Sequence, residues 1–499
     1  MAYLMALDQG TSSSRAIIYR DDGQSVGMAQ EGFDMSFPAS GWVEQDPEVI
    51  WQSIVNVGRA ALLDAGLDAS QIEAIGITNQ RETSILWEAQ SGACVYPAVV
   101  WQDSRTADQC DAMREEEIDG LPLASLIQQR TGLVIDPYFS STKLAWLLNQ
   151  DDFKARAHAG ELRFGTVDTF LIWRLTGGVV HATDATNASR TQLYDIHQQC
   201  WSQELLDYFD VAPELLADVR DSADDFGVAD PQWFGAPIPI RGVAGDQQAS
   251  LIGQGCSKPG QIKSTYGTGC FVMINTGEQA LASSQQLLTT VAYRLGGSTT
   301  YALEGSIFVA GVALKWLRDQ LQLIDDVVET SFAYRASGGD AGGVFVVPAF
   351  TGLGAPHWQA NARRLITGLT FETTRDQIIT AFLQSVALQT VTLLKAMQAD
   401  GAGIDGLRVD GGMVVNDEFC QFLADVLDIS VERPVDVETT ALGAAMLAGI
   451  GSGLFTDLEG ASRAWRLDQH FSPIMPHARR QALLDGFEQA IKQTLSIVK

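Results

Sequence analysis

The first pattern that could do chemistry is a polar turn, residues 8–15 (DQGTSSSR), between two short apolar runs. A tight turn of this kind presents backbone N–H groups and hydroxyls that can surround phosphate oxygens, and Arg15 can add a charge-assisted contact. Asp8 closes the first apolar run, where a carboxylate can hold Mg²⁺ through its bound waters. The alternative is an ordinary polar hairpin turn, since turns of this composition are common.

Two glycine-rich turns in the second half have related compositions. Residues 266–269 (YGTG) lie between apolar runs, and residues 410–412 (DGG) follow an apolar run, with Asn416 shortly after. Together with the first turn, residues 266–269 suggest a second phosphate-binding hairpin across a cleft, while the later glycines let a flat base or a ribose approach the backbone. The alternative for each is a plain structural turn. No Walker A pattern occurs, and the GxGxxG match at 401–406 precedes a predicted strand, so we interpret it as a chance loop.

Three predicted strand ends carry side chains suited to a small polar substrate. Arg81 beside Glu82 pairs a fixed cation with a carboxylate, which can donate to and accept from the hydroxyls of a polyol; a surface Arg–Glu pair is the common alternative. Trp101 offers an aromatic wall. Asp246 ends an apolar run at the position expected of a general base.

These side chains require strands that end close together. Apolar runs at 3–7 and 15–19 flank the first turn and predict a hairpin, which a third strand over 24–33 extends into an antiparallel meander. Residues 47–65 have helical spacing, with Asp46 as the N-cap and a proline at the first helical position.

The second half repeats this order weakly, with predicted strands at 260–265 and 270–275 around its glycine turn. We therefore predict an α/β protein of two related domains, residues 1–250 and 251–499. The predicted insertions are residues 195–235 and 280–300.

Composition excludes some classes of partner. The chain has 499 residues, enough for two to four domains, and a formal net charge of −28. Such a charge argues against general binding to nucleic acid or to anionic membranes, which needs a basic surface. The surplus of 61 acidic over 33 basic side chains is open to two interpretations, a hydrated surface for a salt-rich cytosol or compositional drift. Activity measured from low to molar KCl distinguishes them.

Cysteine use and hydropathy suggest a compartment. The six cysteines are scattered without CxxC spacing, which predicts reduced, buried thiols in a cytoplasmic protein. The N-terminus has no basic stretch followed by an apolar segment, and no uninterrupted apolar run reaches about 18 residues. We therefore predict neither a signal peptide nor a membrane span.

Taken together, these motifs are similar to those of the FGGY family of carbohydrate kinases, within the actin/Hsp70-like ATPase superfamily. The likeness covers essentially the whole chain. It is carried by residues 79–83 (NQRET), 101–105 (WQDSR), 136–139 (DPYF), 138–146 (YFSSTKLAW) and 245–248 (GDQQ). The resemblance implies two RNase H-like domains that flank a central cleft.

The resemblance also implies which residues contact each substrate. The implied polyol contacts are Arg81, Glu82, Trp101, Tyr138, Asp246, Gln247 and Phe271, of which the tryptophan and the phenylalanine pack on the carbon edge. The implied nucleotide contacts are Thr11, Ser12, Ser13, Arg15, Thr268, Gly311, Lys315, Gly412 and Asn416. Asp8 and Asp246 are the expected magnesium contacts.

The implied reaction is phosphorylation of glycerol by MgATP to sn-glycerol 3-phosphate, with Asp246 accepting the proton of the attacking hydroxyl. The implied partners are glycerol, ATP and further copies of the chain in a homodimer or homotetramer. Two alternatives stay open: a kinase of another polyol or ketose such as erythritol or xylulose, and a non-catalytic ATPase-like sensor. A non-catalytic sensor would be expected to lack the base or to have broken phosphate turns. In this sequence the candidate base and the phosphate turns are all present.

Three positions depart from the family pattern. Lys315 stands where such kinases commonly carry a Gln near the ribose, and Arg364 stands where a small residue is usual. Regulated bacterial relatives carry a Gly-Gly-Thr-Arg loop that binds fructose 1,6-bisphosphate, whereas residues 233–237 here read WFGAP, without an arginine. We therefore expect no inhibition by that effector.

Overall fold

The computed structural model describes residues 2–118, 120–350, 352–359 and 361–497. Within these residues the strands are β1 (Tyr3–Gln9), β2 (Ser13–Arg20), β3 (Ser25–Gly32), β4 (Glu44–Gln45), β5 (Ile72–Asn79), β6 (Ile85–Glu88), β7 (Ala98–Val99), β8 (Glu117–Ile118), β9 (Leu121–Pro122), β10 (Leu162–Gly165), β11 (Ala182–Asp184), β12 (Tyr194–Asp195), β13 (Cys200–Trp201), β14 (Asp218–Arg220), β15 (Val228–Ala229), β16 (Ile238–Gly245), β17 (Ile262–Tyr266), β18 (Cys270–Gly277), β19 (Leu288–Leu295), β20 (Ser298–Ile307), β21 (Phe345–Val347), β22 (Leu365–Thr367), β23 (Leu407–Asp410), β24 (Val431–Pro434) and β25 (Leu467–Phe471).

The α-helices in the described residues are α1 (Pro47–Ala65), α2 (Ala107–Arg114), α3 (Leu123–Thr131), α4 (Ser140–Leu148), α5 (Phe153–His158), α6 (Val167–Leu175), α7 (Ala185–Ala188), α8 (Gln203–Phe209), α9 (Pro231–Phe234), α10 (Asp246–Gly253), α11 (Gly311–Asp319), α12 (Glu329–Ala336), α13 (Arg375–Ala399), α14 (Asp417–Leu427), α15 (Thr439–Gly451), α16 (Leu458–Ala461) and α17 (His477–Ile497). Short 3₁₀ turns lie at Ala69–Gln71, Pro213–Leu215, Gly412–Val415 and Ser462–Ala464.

The first large sheet has the strand order β15-β16-β5-β1-β2-β3. Strands β1, β2 and β3 form the predicted antiparallel meander, and β5 and β16 add parallel strands beside β1. The predicted helix over 47–65 is α1, and the Asp46 side chain accepts a hydrogen bond from Glu48 N at its N-terminus, as an N-cap does. The parallel strands matter for function because their carboxyl ends meet at one edge.

The second large sheet repeats this pattern, with the order β19-β20-β18-β17-β23-β24-β25. Strands β17, β18 and β20 are antiparallel neighbours, and β23 and β24 add parallel strands beside β17. The span 280–300, predicted as an insertion, contains β19, which pairs with β20 and extends this sheet at its edge.

Alternation of side chains along β1 separates two hydrophobic cores. Met5 and Leu7 pack with residues of α1, whereas Leu4 and Ala6 pack on the opposite face with residues of α15 from the second half. Asp8 follows Leu4 and Ala6 at the same spacing of two residues. Its side chain therefore lies on the same face of the strand, which is turned toward the second half of the chain.

Helices α10 and α15 cross at the boundary between the two sheets. A Cβ on Gly253 would lie 1.9 Å from the Thr439 carbonyl oxygen, and a Cβ on Gly443 would lie 1.8 Å from the Ala249 carbonyl oxygen. Only glycine permits such a close approach of two helix backbones. The crossing holds Asp246, the first residue of α10, at a fixed position between the two sheets.

One helix, α13, is long and apolar enough to cross a membrane by length and composition, but 78% of its most apolar window is buried inside the protein. It therefore packs as a core helix. All six cysteines are free thiols, as predicted, and four are buried, but the prediction of burial is wrong for Cys94, which is half-buried, and for Cys200, which is exposed.

Candidate active site

Three adjacent parallel strands end beside one another and bring two carboxylates to one edge. Asp8 of β1 is in register with Thr78 of β5, which is in register with Ala244 of β16. Asp246 follows β16 and opens α10. Burial raises the pKa of Asp8 to about 6, against the lowering effect of Arg15, and the nearby charge of Asp246 adds to the increase.

This edge fits a hydrated divalent cation. Thr78 Oγ1, beside Asp8, is buried and has no hydrogen-bond partner among the described residues. Mg²⁺ binds one or two carboxylates and keeps several waters, so Asp8 and Asp246 suffice without a dense ligand cluster. In the described part of the chain no group of three or more His, Cys, Asp or Glu side chains is placed to hold a metal.

The guanidinium of Arg81 is enclosed by polar side chains, and the residue is 3% exposed. Its Nη1 and Nη2 donate to the two carboxylate oxygens of Glu304 at 2.6 and 2.9 Å, and Nη1 also donates to Gln248 Oε1 at 3.2 Å. Its remaining edge faces Tyr138 and Asp246: Nη2 lies 3.3 Å from the Tyr138 hydroxyl and Nε lies 3.2 Å from Asp246 Oδ1. The Nε–Nη2 edge is therefore the part of Arg81 that can address a ligand.

Glu82 is held in an unusual backbone conformation. Its φ of 60° lies in the left-handed region, which costs a non-glycine residue about 1 kcal/mol or more. Its carboxylate is buried and accepts a hydrogen bond from Arg190 Nε at 2.6 Å. Burial raises the pKa of Glu82, although Arg190 and Arg81 oppose the increase.

Two buried charges from the second half complete this cluster. Burial alone would raise the pKa of Glu304 in β20, but Arg190 and Arg81 outweigh it and lower the pKa to about 2. Lys263 of β17 donates through Nζ to Gln247 Oε1 and, at 3.0 Å, to Thr265 Oγ1. The site therefore draws its charges from both sheets.

Aromatic side chains form walls beside the charges. The Trp101 ring meets the Tyr138 ring edge to face, with centroids 5.5 Å apart, and its indole N–H donates to Thr11 Oγ1 at 2.9 Å. Phe271 of β18 is in register with Ser306, while Met273 is in register with Glu304. Paired residues of an antiparallel ladder share a face, so Phe271 lies on the same sheet face as Glu304.

The first turn has the geometry of a tight hairpin. Gly10 N donates to Ser13 O at 2.9 Å, Ser12 is exposed, and Ser13 Oγ accepts a hydrogen bond from Gln30. Arg15 forms an ion pair with Glu438, the residue that precedes α15. Arg15 Nη1 is therefore engaged with this carboxylate, whereas Arg15 Nε is buried and has no hydrogen-bond partner among the described residues.

The three second-half elements predicted to contact nucleotide lie together. Gly311 N at the start of α11 donates to Gly267 O, and Ala310 N donates to the carbonyl of Thr268, whose residue is exposed. A Cβ on Gly311 would lie 3.5 Å from Met413, which follows Gly412, and a Cβ on Gly412 would meet open space. The turn at 266–269, the start of α11 and the DGG segment therefore surround one open region.

The remaining positions have defined local contacts. Asn416 caps α14 by accepting from Phe419 N at 3.0 Å, and its amide nitrogen donates to Thr330. Lys315 is exposed on α11, one helical turn beyond Gly311 and on the same face. The Arg364 guanidinium lies over the rings of Trp316 and Phe350, at 5.3 and 4.9 Å from their centroids. The unusual arginine thus packs on α11, while a nucleotide contact for Lys315 stays a prediction.

The segment 233–237 is an apolar anchor on α1. The Trp233 ring meets Trp51 edge to face at 4.7 Å, and Phe234 packs against Gly58. Arg59 of α1 donates to the carbonyls of Gln232 and Trp233. The expectation that fructose 1,6-bisphosphate does not inhibit stays a prediction.

Lys143 holds the loop that carries Tyr138. This lysine of α4 is fully buried, and its ammonium donates to the carbonyls of Pro137, Tyr138 and Phe139 at 2.9, 2.6 and 2.7 Å. Burial lowers its pKa to about 8, while the carboxylates of Glu82, Asp103 and Asp136 and the Cys110 thiol oppose that shift. Lys143 therefore carries its charge below about pH 8 and loses it above.

Loss of this charge should loosen the polyol wall. Between pH 7 and pH 9.5 the ammonium becomes an amine with two donors for three carbonyls, so we expect KM for the polyol to rise about tenfold. Steady-state kinetics with the polyol varied at each pH measures this. Lys143→Met should give a high KM at every pH, whereas the exposed control Lys154→Met should retain the wild-type profile. A KM that stays constant through pH 8 in the wild type would contradict the assignment.

Sequence reasoning missed four members of the site: Arg190, Gln248, Lys263 and Glu304. One signal was available, because Glu304 is a lone carboxylate inside an otherwise apolar and small-residue run, YALEGSIFVAG. A charge in the interior of a buried strand needs a partner. Its partner, Arg81, is 223 positions away and could not be identified from spacing.

Comparison with known proteins identifies the family and the fold. The N-terminal domain of the FGGY family of carbohydrate kinases matches residues 3–253, and the C-terminal domain of that family matches residues 262–452. Glycerol kinase of Alcanivorax borkumensis is 53% identical over 493 residues, covering 98% of each chain, and glycerol kinase 1 of Pseudomonas aeruginosa is 53% identical, covering 99% of each. The crystal structure of Plasmodium falciparum glycerol kinase with ADP superposes with a TM-score of 0.91 at 34% identity, covering 99% of this chain and 98% of that one. The predicted α/β fold of two actin/Hsp70-type domains is confirmed, and the chain belongs to the FGGY family of carbohydrate kinases.

Proposed function

We propose that this protein transfers the γ-phosphoryl group of ATP to glycerol, giving sn-glycerol 3-phosphate. The observation that carries the proposal is the convergence of the Asp246 carboxylate with the Nε–Nη2 edge of Arg81, 3.2 Å from Nε to Oδ1. That edge presents two parallel N–H donors, which match two adjacent hydroxyl oxygens. Relatives at 53% identity over nearly the whole chain are glycerol kinases, which supports the choice of polyol.

Asp246 serves as the general base in this proposal. Its side chain is 32% exposed, so a hydroxyl can reach it, and Gln247 N donates to Oδ1 at 2.7 Å and orients the carboxylate. As the terminal hydroxyl oxygen of glycerol bonds to the γ-phosphorus, its proton passes to Asp246. The bond from that phosphorus to the β–γ bridging oxygen breaks, and ADP leaves with the electron pair. Phosphoryl transfer of this kind depends mainly on positioning and charge neutralisation.

The polyol is oriented by charges and by rings. We propose that Arg81 and Glu82 select which terminal hydroxyl faces ATP, that Tyr138 and Gln247 contact the other oxygens, and that Trp101 and Phe271 cover the carbon chain. These aromatic walls limit the space to a short polyol, which disfavours a ketose such as xylulose.

The nucleotide spans both halves. Thr11, Ser12, Ser13 and Arg15 on the first hairpin and Thr268 on the second hairpin bind the phosphates, and Gly311, Lys315, Gly412 and Asn416 lie toward the ribose and base. Asp8 and Asp246 would hold Mg²⁺, and the bound ion would supply charge neutralisation for the transferring phosphoryl group. We assign residues 1–250 to polyol and phosphate binding and residues 251–499 to the nucleotide.

Two wider proposals complete this function. We propose that the enzyme works in the cytoplasm, which the free cysteines and the need for ATP support. We also propose a homodimer or homotetramer, without nucleic acid or membrane partners, and sedimentation velocity would establish the oligomeric state.

The deciding assay is glycerol-dependent ADP release with MgATP. We expect turnover with glycerol, less with erythritol and little with xylulose or gluconate. Coupling the product to a dehydrogenase specific for sn-glycerol 3-phosphate identifies which end is phosphorylated. ADP release that does not depend on any polyol would favour the ATPase-like sensor, and a preference for xylulose would favour the ketose alternative.

A further inference from the structure

Arg81 and Glu82 are each bound by a partner of opposite charge. Glu304 binds Arg81 through two hydrogen bonds, at 2.6 and 2.9 Å, and Arg190 binds Glu82 at 2.6 Å. Arg190 Nη2 also donates to Glu304 Oε1 at 3.2 Å, which closes the group into a continuous cluster. We refer to Arg81, Glu82, Arg190 and Glu304 as the charge quartet.

The charge quartet is balanced and almost fully withdrawn from water. Each of its members is at most 3% exposed. Two guanidinium groups and two carboxylates sum to zero, which allows burial that a single unpaired charge would not tolerate. Removing Glu304 would leave two buried cations with one carboxylate, so the remaining side chains would have to move.

The quartet also joins the two sheets. Arg81 follows β5 of the first sheet, whereas Glu304 lies inside β20 of the second, with its backbone paired on both sides by β18 and β19. A residue in the interior of a central strand has little freedom to shift. The Glu304 carboxylate is therefore held in a fixed position, and its two hydrogen bonds orient the guanidinium of Arg81.

That orientation decides which edge of Arg81 is offered to a ligand. Glu304 occupies the Nη1–Nη2 end and Gln248 takes the remaining N–H of Nη1. Only the Nε–Nη2 edge is left toward Asp246 and the Tyr138 hydroxyl. Without Glu304 the guanidinium could rotate and present other pairs of donors.

We propose that Glu304 is a positioning residue that determines polyol specificity, because it orients the fork of Arg81 across the boundary between the two sheets. The inference rests on the proposed function and deepens it. Arg81 of the first domain then recognises adjacent hydroxyls only when Glu304 of the second domain orients it. Tight binding of the polyol therefore requires the two sheets to keep the relative position that they have in this structure.

The test is Glu304→Gln, which keeps the side-chain size and removes the charge. We expect KM for glycerol to rise about 30-fold or more, with KM for ATP changing less than about threefold. Discrimination between glycerol and 1,3-propanediol, which lacks the adjacent hydroxyl pair, should fall about tenfold, and a measurable share of the product should escape the dehydrogenase specific for sn-glycerol 3-phosphate. A general structural defect would not change substrate discrimination.

Two further variants keep the test decisive. Glu44→Gln is the matched control, because Glu44 is also a buried partner of an arginine, Arg105, at 2.8 Å; its glycerol KM should stay within about threefold of the wild type. Glu304→Asp keeps the charge but shortens the side chain, so it should weaken glycerol binding about tenfold and carries the test if the Gln variant does not fold.

The outcomes separate the two proposals. No ADP release from the unaltered protein with glycerol overturns the proposed function. Turnover of glycerol by the unaltered protein, together with unchanged KM and discrimination in both Glu304 variants, overturns the positioning role alone.

Discussion

Asp246→Asn should lower kcat for glycerol about 10³-fold or more while leaving glycerol affinity within about fivefold. An aspartate acting as general base contributes about 10²- to 10⁴-fold, and an amide cannot accept the proton. We expect affinity to be kept because an amide oxygen at the position of Oδ1, 3.2 Å from Arg81 Nε, still faces the guanidinium with a partial negative charge. Rapid-quench measurement of the phosphoryl transfer step reports the first effect, and titration of tryptophan fluorescence in the absence of ATP reports the second.

The control for this variant is Asp376→Asn. Asp376 also lies in the first turn of a helix, α13, and pairs with an exposed arginine, Arg375, at 3.6 Å. Its kcat should equal that of the wild type. If Asp246→Asn retained kcat within tenfold, the proton would leave by another route, such as directly to phosphate or to water.

Arg81→Ala should raise the glycerol KM about 10²- to 10³-fold. This corresponds to about 3–4 kcal/mol, within the range for removing one partner of a buried, hydrogen-bonded charge pair. Three losses combine: the two donors toward the ligand, the partner of Glu304, and the Nε contact that orients Asp246. Initial rates with glycerol varied at saturating MgATP measure the effect, and thermal unfolding shows whether the variant is folded.

A lysine variant distinguishes charge from geometry. Arg81→Lys retains the cation but loses the planar fork, so most of the KM increase should remain. Arg105→Lys is the matched comparison, because Arg105 is likewise a buried fork, bound to Asp103 and Glu44, and does not belong to the charge quartet. If Arg81→Lys bound glycerol normally, the substrate would respond to the charge alone and the fork would have no role in recognition.

The net charge of −28 has to be reconciled with an anionic substrate. The described side chains around the reacting groups include four cations: Arg15, Arg81, Arg190 and Lys263. The whole chain has only 33 lysines and arginines, so positive charge is concentrated at this site. Three of these are buried: Arg81 and Arg190 pair with the carboxylates of Glu304 and Glu82, and Lys263 donates to the amide oxygen of Gln247. The surplus of acidic side chains therefore lies mainly on the surface, whereas in the active site the buried arginines are balanced by buried carboxylates.

Several helices and strands could be predicted from the local sequence alone. The helix α1 was predicted with its bounds and its cap because Asp46, Pro47 and the apolar spacing act within a few residues of one another. The meander β1–β3 followed in the same way from alternating apolar runs around short turns. Asp8, Arg81 and Asp246 were recognised as candidates because a polar residue that ends an apolar strand is a local pattern, and parallel strands place such ends together.

Other features depend on contacts between distant segments. The extension of the second sheet by β19 depends on its pairing with β20. The alternation of hydrophobic residues predicts a strand, but it does not indicate which strand will pair with it. The ion pair of Arg15 with Glu438 joins residues 423 positions apart. Such pairs leave no trace in the spacing of either residue.

The amino-acid sequence by itself determined the family and predicted the first meander, the helix α1 and the residues proposed to contact the substrates, because these depend on local propensity and on motifs a few residues long. Only the tertiary structure decided how those residues are oriented. Glu304 selects the free edge of Arg81, Arg190 binds Glu82, and Lys143 holds the Tyr138 loop. The physical reason is that a buried charge must find its partner in space, and that partner is set by how the two sheets pack.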